Sequence, residues 1–263
     1  MIRMRPLLTL LALSVIAATA AARADDYPVA PDVVVFCEPT LRPVVTALGR
    51  QWTTETRIPV RVFAAPTWAN LAQLTRHTRD DVIIGEGDAA ADSATAQNLI
   101  KGATVFKLWQ NKLVAASLAA ELSKARAASA TTRLDLASVA GKAPIAIVDP
   151  GVAEAGTESQ QALRSLGLWD AVTSKSIGVV DTADAAFLLS EGDVKLAVLY
   201  ATDVIGHPDF AVTDALPATG QPIVYWAAQT ERALSPNAGK FVDFLNRAEV
   251  RAKGRDVGLE VLP

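Results

Sequence analysis

The chain has 263 residues but only one cysteine, Cys37, and two histidines, His77 and His207. A lone cysteine excludes an intramolecular disulfide, so stability must come from a packed core. The same scarcity rules out a His/Cys metal constellation, and no direct metal ligands are expected. Basic residues never cluster in a run, which argues against nucleic acid or an anionic membrane as a partner. Neither G-x-S-x-G, Walker A nor H-E-x-x-H occurs, and no nucleophile–base pair is visible. Catalysis is therefore not expected, and neither is a cofactor. Beyond residue 24 no stretch is long and apolar enough to span a bilayer.

The N-terminus is the clearest feature present. Met1–Arg5 is basic, Leu7–Ala22 is apolar and small, and Ala22-Arg23-Ala24 is an A-x-A cleavage site. Residues 1–24 read as a cleavable secretory signal peptide. The apolar run also approaches the length of a short membrane span. An uncleaved anchor is therefore the alternative, although the small-residue ending speaks against it. No lipobox-type cysteine follows. The mature chain from Asp25 has 239 residues, with 22 basic and 28 acidic, a net charge of −6. That length suffices for one large domain or two lobes with real cores. Export without disulfides points to a bacterial periplasm.

The mature chain begins with Val33-Val34-Val35-Phe36, an apolar run read as a strand buried on both faces. Leu41, Val44, Val45, Leu48 and Trp52 then fall on one helical face, with Thr40 at the N-cap position. Ile58–Ala64 and Asp81–Gly85 read as further strands. Thr67 and Asp88 are placed to cap the helices that follow. The β-α-β-α-β-α order implies a parallel sheet. The strands Thr104–Leu108 and Lys112–Ala116 either pair as an antiparallel edge or cross to another lobe. Leu134–Ala137 reads as a short helical turn. Pro144–Val148 then restarts the pattern, and a capping box at Thr157 and Gln160 opens a helix. Ile177–Val180 and Val194–Leu199 are strands, with Thr182 capping the helix between them. Pro222–Trp226 reads as a strand returning to the first lobe, and Phe241, Phe244, Leu245 and Ala248 mark a C-terminal helix. The expected architecture is α/β with two lobes: residues 25–114 plus 226–263, and residues 115–225. Ligands bind at strand carboxyl ends in such sheets, and two facing ends make a cleft.

Several blocks resemble the periplasmic molybdate-binding proteins, the substrate-binding components of ABC importers. Phe36-Cys37-Glu38-Pro39-Thr40-Leu41 is similar to the family's opening strand, small-residue loop and helix. Phe63-Ala64-Ala65-Pro66-Thr67-Trp68 is similar to its second, serine-rich loop. Asp80–Glu86, Ile145–Pro150 with Ala155-Gly156, and Ala197–Asp203 match three later blocks. The resemblance implies a type II periplasmic binding protein that holds a molybdate- or tungstate-type oxyanion for an inner-membrane permease. A monomer is expected. Carried over by position, the implied contacts are Thr40, Thr67, Ala155, Ala183 and Tyr200. Neutral donors of this kind hold a dianion without Lys or Arg.

The first lobe departs from the family pattern. Threonines replace both serines, and Pro66, which could take the second contact instead of Thr67, has no N–H. Trp68 is bulky where small residues stand, and Glu38 puts a carboxylate beside the anion. Glu38, Pro66 and Trp68 are therefore candidate selectivity residues. They leave open a different solute, either another oxyanion, an organic acid or a cationic compound, and an exported accessory role without transport. Alternative readings stand for single residues: Cys37 as a small core hydrophobe, Tyr200 as interlobe packing, and Trp68 as cover on the hinge side.

Overall fold

The computed structural model describes residues 32–76, 78–128, 140–218 and 222–262. The expected signal peptide, His77 and the expected Leu134–Ala137 turn lie outside the described residues. Two mixed sheets form. The first contains β1 (Val33–Cys37), β2 (Val60–Ala64), β3 (Val82–Glu86), β4 (Phe106–Asn111), β10 (Ile223–Gln229) and β11 (Glu260–Val261), in lateral order β11-β4-β10-β3-β1-β2. The second contains β5 (Leu113–Leu118), β6 (Ile145–Val148), β7 (Ser176–Val179), β8 (Leu196–Tyr200) and β9 (Phe210–Ala215), in order β7-β6-β8-β5-β9.

The parallel pairings arise where the β-α-β reading places them. β1 runs parallel to β2 and β3, and β6 runs parallel to β7 and β8. Every residue of β1 is buried, as its unbroken apolar run requires. β4 and β5 do not pair as an edge. The chain crosses between sheets at Lys112: β4 pairs with β10, while β5 runs antiparallel to β8 and β9. β10 brings the chain back to the first sheet, antiparallel to β3 and β4. β9 and the two-residue β11 are additions that the sequence pattern did not reveal.

Helices cover the sheets and are amphipathic where the sequence is. In α1 (Arg42–Thr56), Val44, Val45, Leu48 and Trp52 are buried. Trp52 packs its ring against Phe241 and Phe244 of α9 (Ala238–Leu245), with centroids 5.4 and 5.3 Å apart. Full burial of each such side chain contributes roughly 1.5–3 kcal/mol. A charged anchor joins three segments beneath the first sheet. The buried Asp81 accepts the N–H of Val34, and those of Leu234 and Ser235, each at 2.8 Å.

The helix starts differ from the threonine-capped expectation in a systematic way. Thr40 lies in a 3-10 turn, Pro39–Leu41, ahead of α1 and caps nothing. Thr67 is the first residue of α2 (Thr67–Thr75), behind Pro66 at the cap. Thr182 opens α7 (Thr182–Glu191), whose cap is Asp181, accepting from Asp184 N–H at 2.9 Å. Asp88 likewise opens α3 (Asp88–Ala96) behind Gly87 and pairs with Lys107. Instead of a capping box at Thr157, α5 (Glu154–Ser165) starts three residues earlier, and Thr157 donates to Pro150 C=O. Aspartate is a better N-cap than threonine, so Asp181 takes the orphan N–H group and the neighbouring Thr182 hydroxyl goes to the Asp203 carboxyl instead.

Candidate functional site

The carboxyl ends of β1, β3 and β8 and the N-terminal ends of α2, α5 and α7 converge on a cavity of about 400 Å³ between the two sheets. Thr40, Thr67, Ala155 and Tyr200 line it, as do Glu38, Pro66 and Trp68. Ala183 does not, although its neighbours Asp181 and Thr182 do. The sequence reading therefore brought together most of one site. It missed Glu86, Glu154 and Asp181, which also line the wall. Sequence order gave no hint that these three acids would meet; the only signals were the strand-end position of Glu86 and the places of Glu154 and Asp181 at helix starts.

Side chains from opposite walls clasp across the cleft. The Thr40 hydroxyl donates to Asp203 Oδ1 at 2.7 Å. With that proton committed, Thr202 donates to Thr40 Oγ1 across 2.6 Å. Asn111, at the crossing between sheets, donates Nδ2–H to Thr202 Oγ1 at 3.0 Å and to the Tyr225 hydroxyl at 3.1 Å. The Tyr200 hydroxyl donates to Glu86 Oε1 at 2.5 Å. Tyr200 and Glu86 are buried, and each belongs to a different sheet.

On the first wall, Glu38 Oε1 accepts both the N–H and the hydroxyl of Thr67. Thr67 Oγ1 in turn accepts Glu86 N–H at 2.8 Å. Glu38 is buried, and loss of water pushes its carboxyl up to about 7 despite the two Thr67 bonds; Asp181 and Glu154 add to the rise. Burial likewise raises Glu86 well above the usual carboxylate range, and Glu38 reinforces it. Glu154 faces the open cavity, and partial desolvation on its protein side raises it as well. Asp181 is raised by desolvation, against the Asp184 and Ala183 N–H bonds that hold its charge. Glu154 reaches from α5 onto Gly87 of the other wall. Gly87 has φ +84°, and a Cβ there would lie 2.7 Å from Glu154 Oε1. Trp68 is 54% exposed on the rim. Cys37 is buried with its thiol pushed up to about 12 by desolvation, which matches its reading as a core residue. Among the described residues no trio of His, Cys, Asp or Glu is placed to hold a metal ion.

Residues 33–260 match the family of bacterial extracellular solute-binding proteins. The chain belongs to that family. Its cleft is thus the place to look for a solute. The molybdate-binding protein ModA of Escherichia coli (strain K12) is 23% identical over 214 residues, covering 81% of this chain and 82% of ModA. The periplasmic molybdate-binding protein of Azotobacter vinelandii superposes with a TM-score of 0.74 at 20% identity, covering 88% of this chain and all of that one (100%). AfuA of Actinobacillus pleuropneumoniae, a periplasmic binding protein solved with fructose-6-phosphate, superposes at 0.64 with 14% identity, over 88% of this chain and 84% of that one. At these identities the structural likeness establishes the two-lobe fold of periplasmic binding proteins.

Proposed function

We propose that this solute-binding protein is the substrate-binding component of an ABC importer. It is exported to the periplasm by the signal peptide at residues 1–24 and works there as a monomer that delivers a small solute to an inner-membrane permease. One observation carries the reading. A solute-sized cavity lies between two sheets whose walls are tied by side-chain pairs, Thr40 with Asp203 and Tyr200 with Glu86. Lobes divided near residues 114 and 225 would open and close over it by a hinge. The strand crossing at Lys112 and the return into β10 supply two connections for that motion.

The named relatives support a molybdate- or tungstate-type oxyanion as the solute. The N-termini of α5 and α7 beside the cavity suit an anion, and the contacts proposed for it are Thr40, Thr67, Ala155 and Tyr200 on the wall and Ala183 beside it. A second reading, a cationic solute, is favoured by the acidic lining. Either way, protein recovered natively from the periplasm and then denatured should release about one small molecule per chain, identifiable by mass spectrometry. If no solute is released, and periplasmic small-molecule extract leaves the thermal midpoint unchanged, the receptor reading fails.

A further inference from the structure

The charge on the cleft walls is one-sided. Glu38, Glu86, Glu154 and Asp181 line the cavity, and among the described residues no Lys, Arg or His does. These acids are not bystanders to the donors that an oxyanion would use. Thr67 gives its N–H and hydroxyl to Glu38, Tyr200 gives its hydroxyl to Glu86, and Thr40 gives its hydroxyl to Asp203. The Ala183 N–H is directed at the Asp181 carboxylate. Four of the five residues implied for oxyanion contact therefore spend their donors on carboxylates of the chain.

The helix ends repeat the pattern. The first turns of α2, α5 and α7 open on the cavity, and such ends attract anions through their free N–H groups. Each already has one: Glu38 at α2, Glu154 in the first turn of α5, and Asp181 as the cap of α7. A dianion would have to displace or face all three in a site of reduced dielectric. Like charges at close range oppose one another there more strongly than in water. A positive solute instead draws these carboxyls into their charged form and meets them converging from both lobes. The Trp68 indole on the rim offers a π-face, which attracts cations and does nothing for a tetrahedral oxyanion. The cavity of about 400 Å³ lies within the range of small-molecule sites. A bare metal ion fits poorly, since no acid trio is gathered at coordination distance among the described residues.

We infer that the solute of this cleft is a small organic cation, an ammonium or guanidinium compound, whose charge is met by Glu38, Glu86, Glu154 and Asp181 and whose body lies toward Trp68. This rests on the receptor reading of the cleft and changes only the class of solute. The test is titration calorimetry on mature protein stripped by unfolding and refolding. The probes are putrescine, choline and arginine against sodium molybdate and sodium tungstate. At least one cation should bind one-to-one, and more weakly as salt is raised. Glu154→Gln, at an exposed position that leaves the core intact, should weaken it at least tenfold, and Trp68→Ala should weaken it several-fold. Silence from all three cations overturns the inference. So does molybdate binding that survives in the unaltered protein while Glu154→Gln tightens it. Both outcomes leave the receptor reading standing if a solute is released from native protein, whereas release of none together with a thermal midpoint unmoved by periplasmic extract removes the receptor reading itself.

Discussion

Tyr200 reaches from the second sheet into the first and donates its hydroxyl to Glu86 across 2.5 Å. Both partners are buried, with only their cavity edges open. Burial drives the Tyr200 phenol well above its ordinary value, and the neighbouring Glu86 carboxyl reinforces the rise, so it keeps its proton and stays a donor. The pair ties the ends of β8 and β3, two of the strands whose carboxyl ends meet at the cavity.

Removing the donor should therefore be felt in stability. Tyr200→Phe leaves a buried carboxyl without its partner, and the loss should be about 1–3 kcal/mol. Urea unfolding of Tyr200→Phe, Glu86→Gln and the double variant makes a cycle. A coupling near zero would show that the two groups do not hold the lobes together.

A second prediction concerns Gly156, in the first turn of α5. A Cβ there would lie 2.4 Å from the backbone oxygen of Asp149, which cannot yield as a side chain would. The close approach seats the Asp149–Pro150 turn against the helix that carries Glu154 and Ala155 to the cavity wall. Gly156→Ala should destabilise by about 1–3 kcal/mol and displace that wall. A thermal midpoint equal to that of the unaltered protein would count against the contact.

The Asp81 anchor gives a third. Asp81→Asn keeps the shape but replaces one acceptor oxygen by an NH₂ group. Whichever way the amide turns, a backbone N–H of Val34, Leu234 or Ser235 faces a donor. The cost should be about 1–3 kcal/mol in denaturant unfolding. Unchanged stability would mean that one oxygen suffices for all three.

Most of the framework was readable because apolar runs and helical periodicity are local. The Val33–Phe36 run and the Leu41–Trp52 face both lie where the pattern puts them, and Ala197–Tyr200 ends at the cleft as its matched block implies. Thr40 and Thr67 were found as cavity residues but given the wrong partners. A hydroxyl beside a helix start has a local cap and a distant carboxylate as competing acceptors, and only the fold brings Asp203 to Thr40 or Glu38 to Thr67. Ala183 was carried over by position outside the matched blocks, and it lies one residue past the wall formed by Asp181 and Thr182. The acid lining stayed hidden because Glu38, Glu86, Glu154 and Asp181 come from four separate segments. β9 and β11 escaped because β9 mixes buried and exposed residues and β11 has only two.

Glu38 permits a prediction whose sign is set by burial. Its carboxyl titrates near 7 in the folded chain, against 4.5 for an unburied one. Between those values the folded protein holds a proton that the unfolded chain has released, so stability falls as pH rises from about 4.5 to about 7 and is level above that. The penalty at pH 8 is on the order of 3 kcal/mol. Glu86, Glu154 and Asp181 face the same cavity and titrate too, while the Thr67 donors favour the charged form. Comparing Glu38→Gln with the unaltered protein cancels most of their share. The amide oxygen of Gln can still accept from Thr67, so the variant should match the parent near pH 4.5 and exceed it in thermal midpoint at pH 8, both without solute. With a cation bound the order at pH 8 should shrink or reverse, because the ionised Glu38 then has a counter-charge. Solute-free differences that stay flat from pH 4.5 to 8 would show that Glu38 is ionised throughout and that its burial costs the fold nothing.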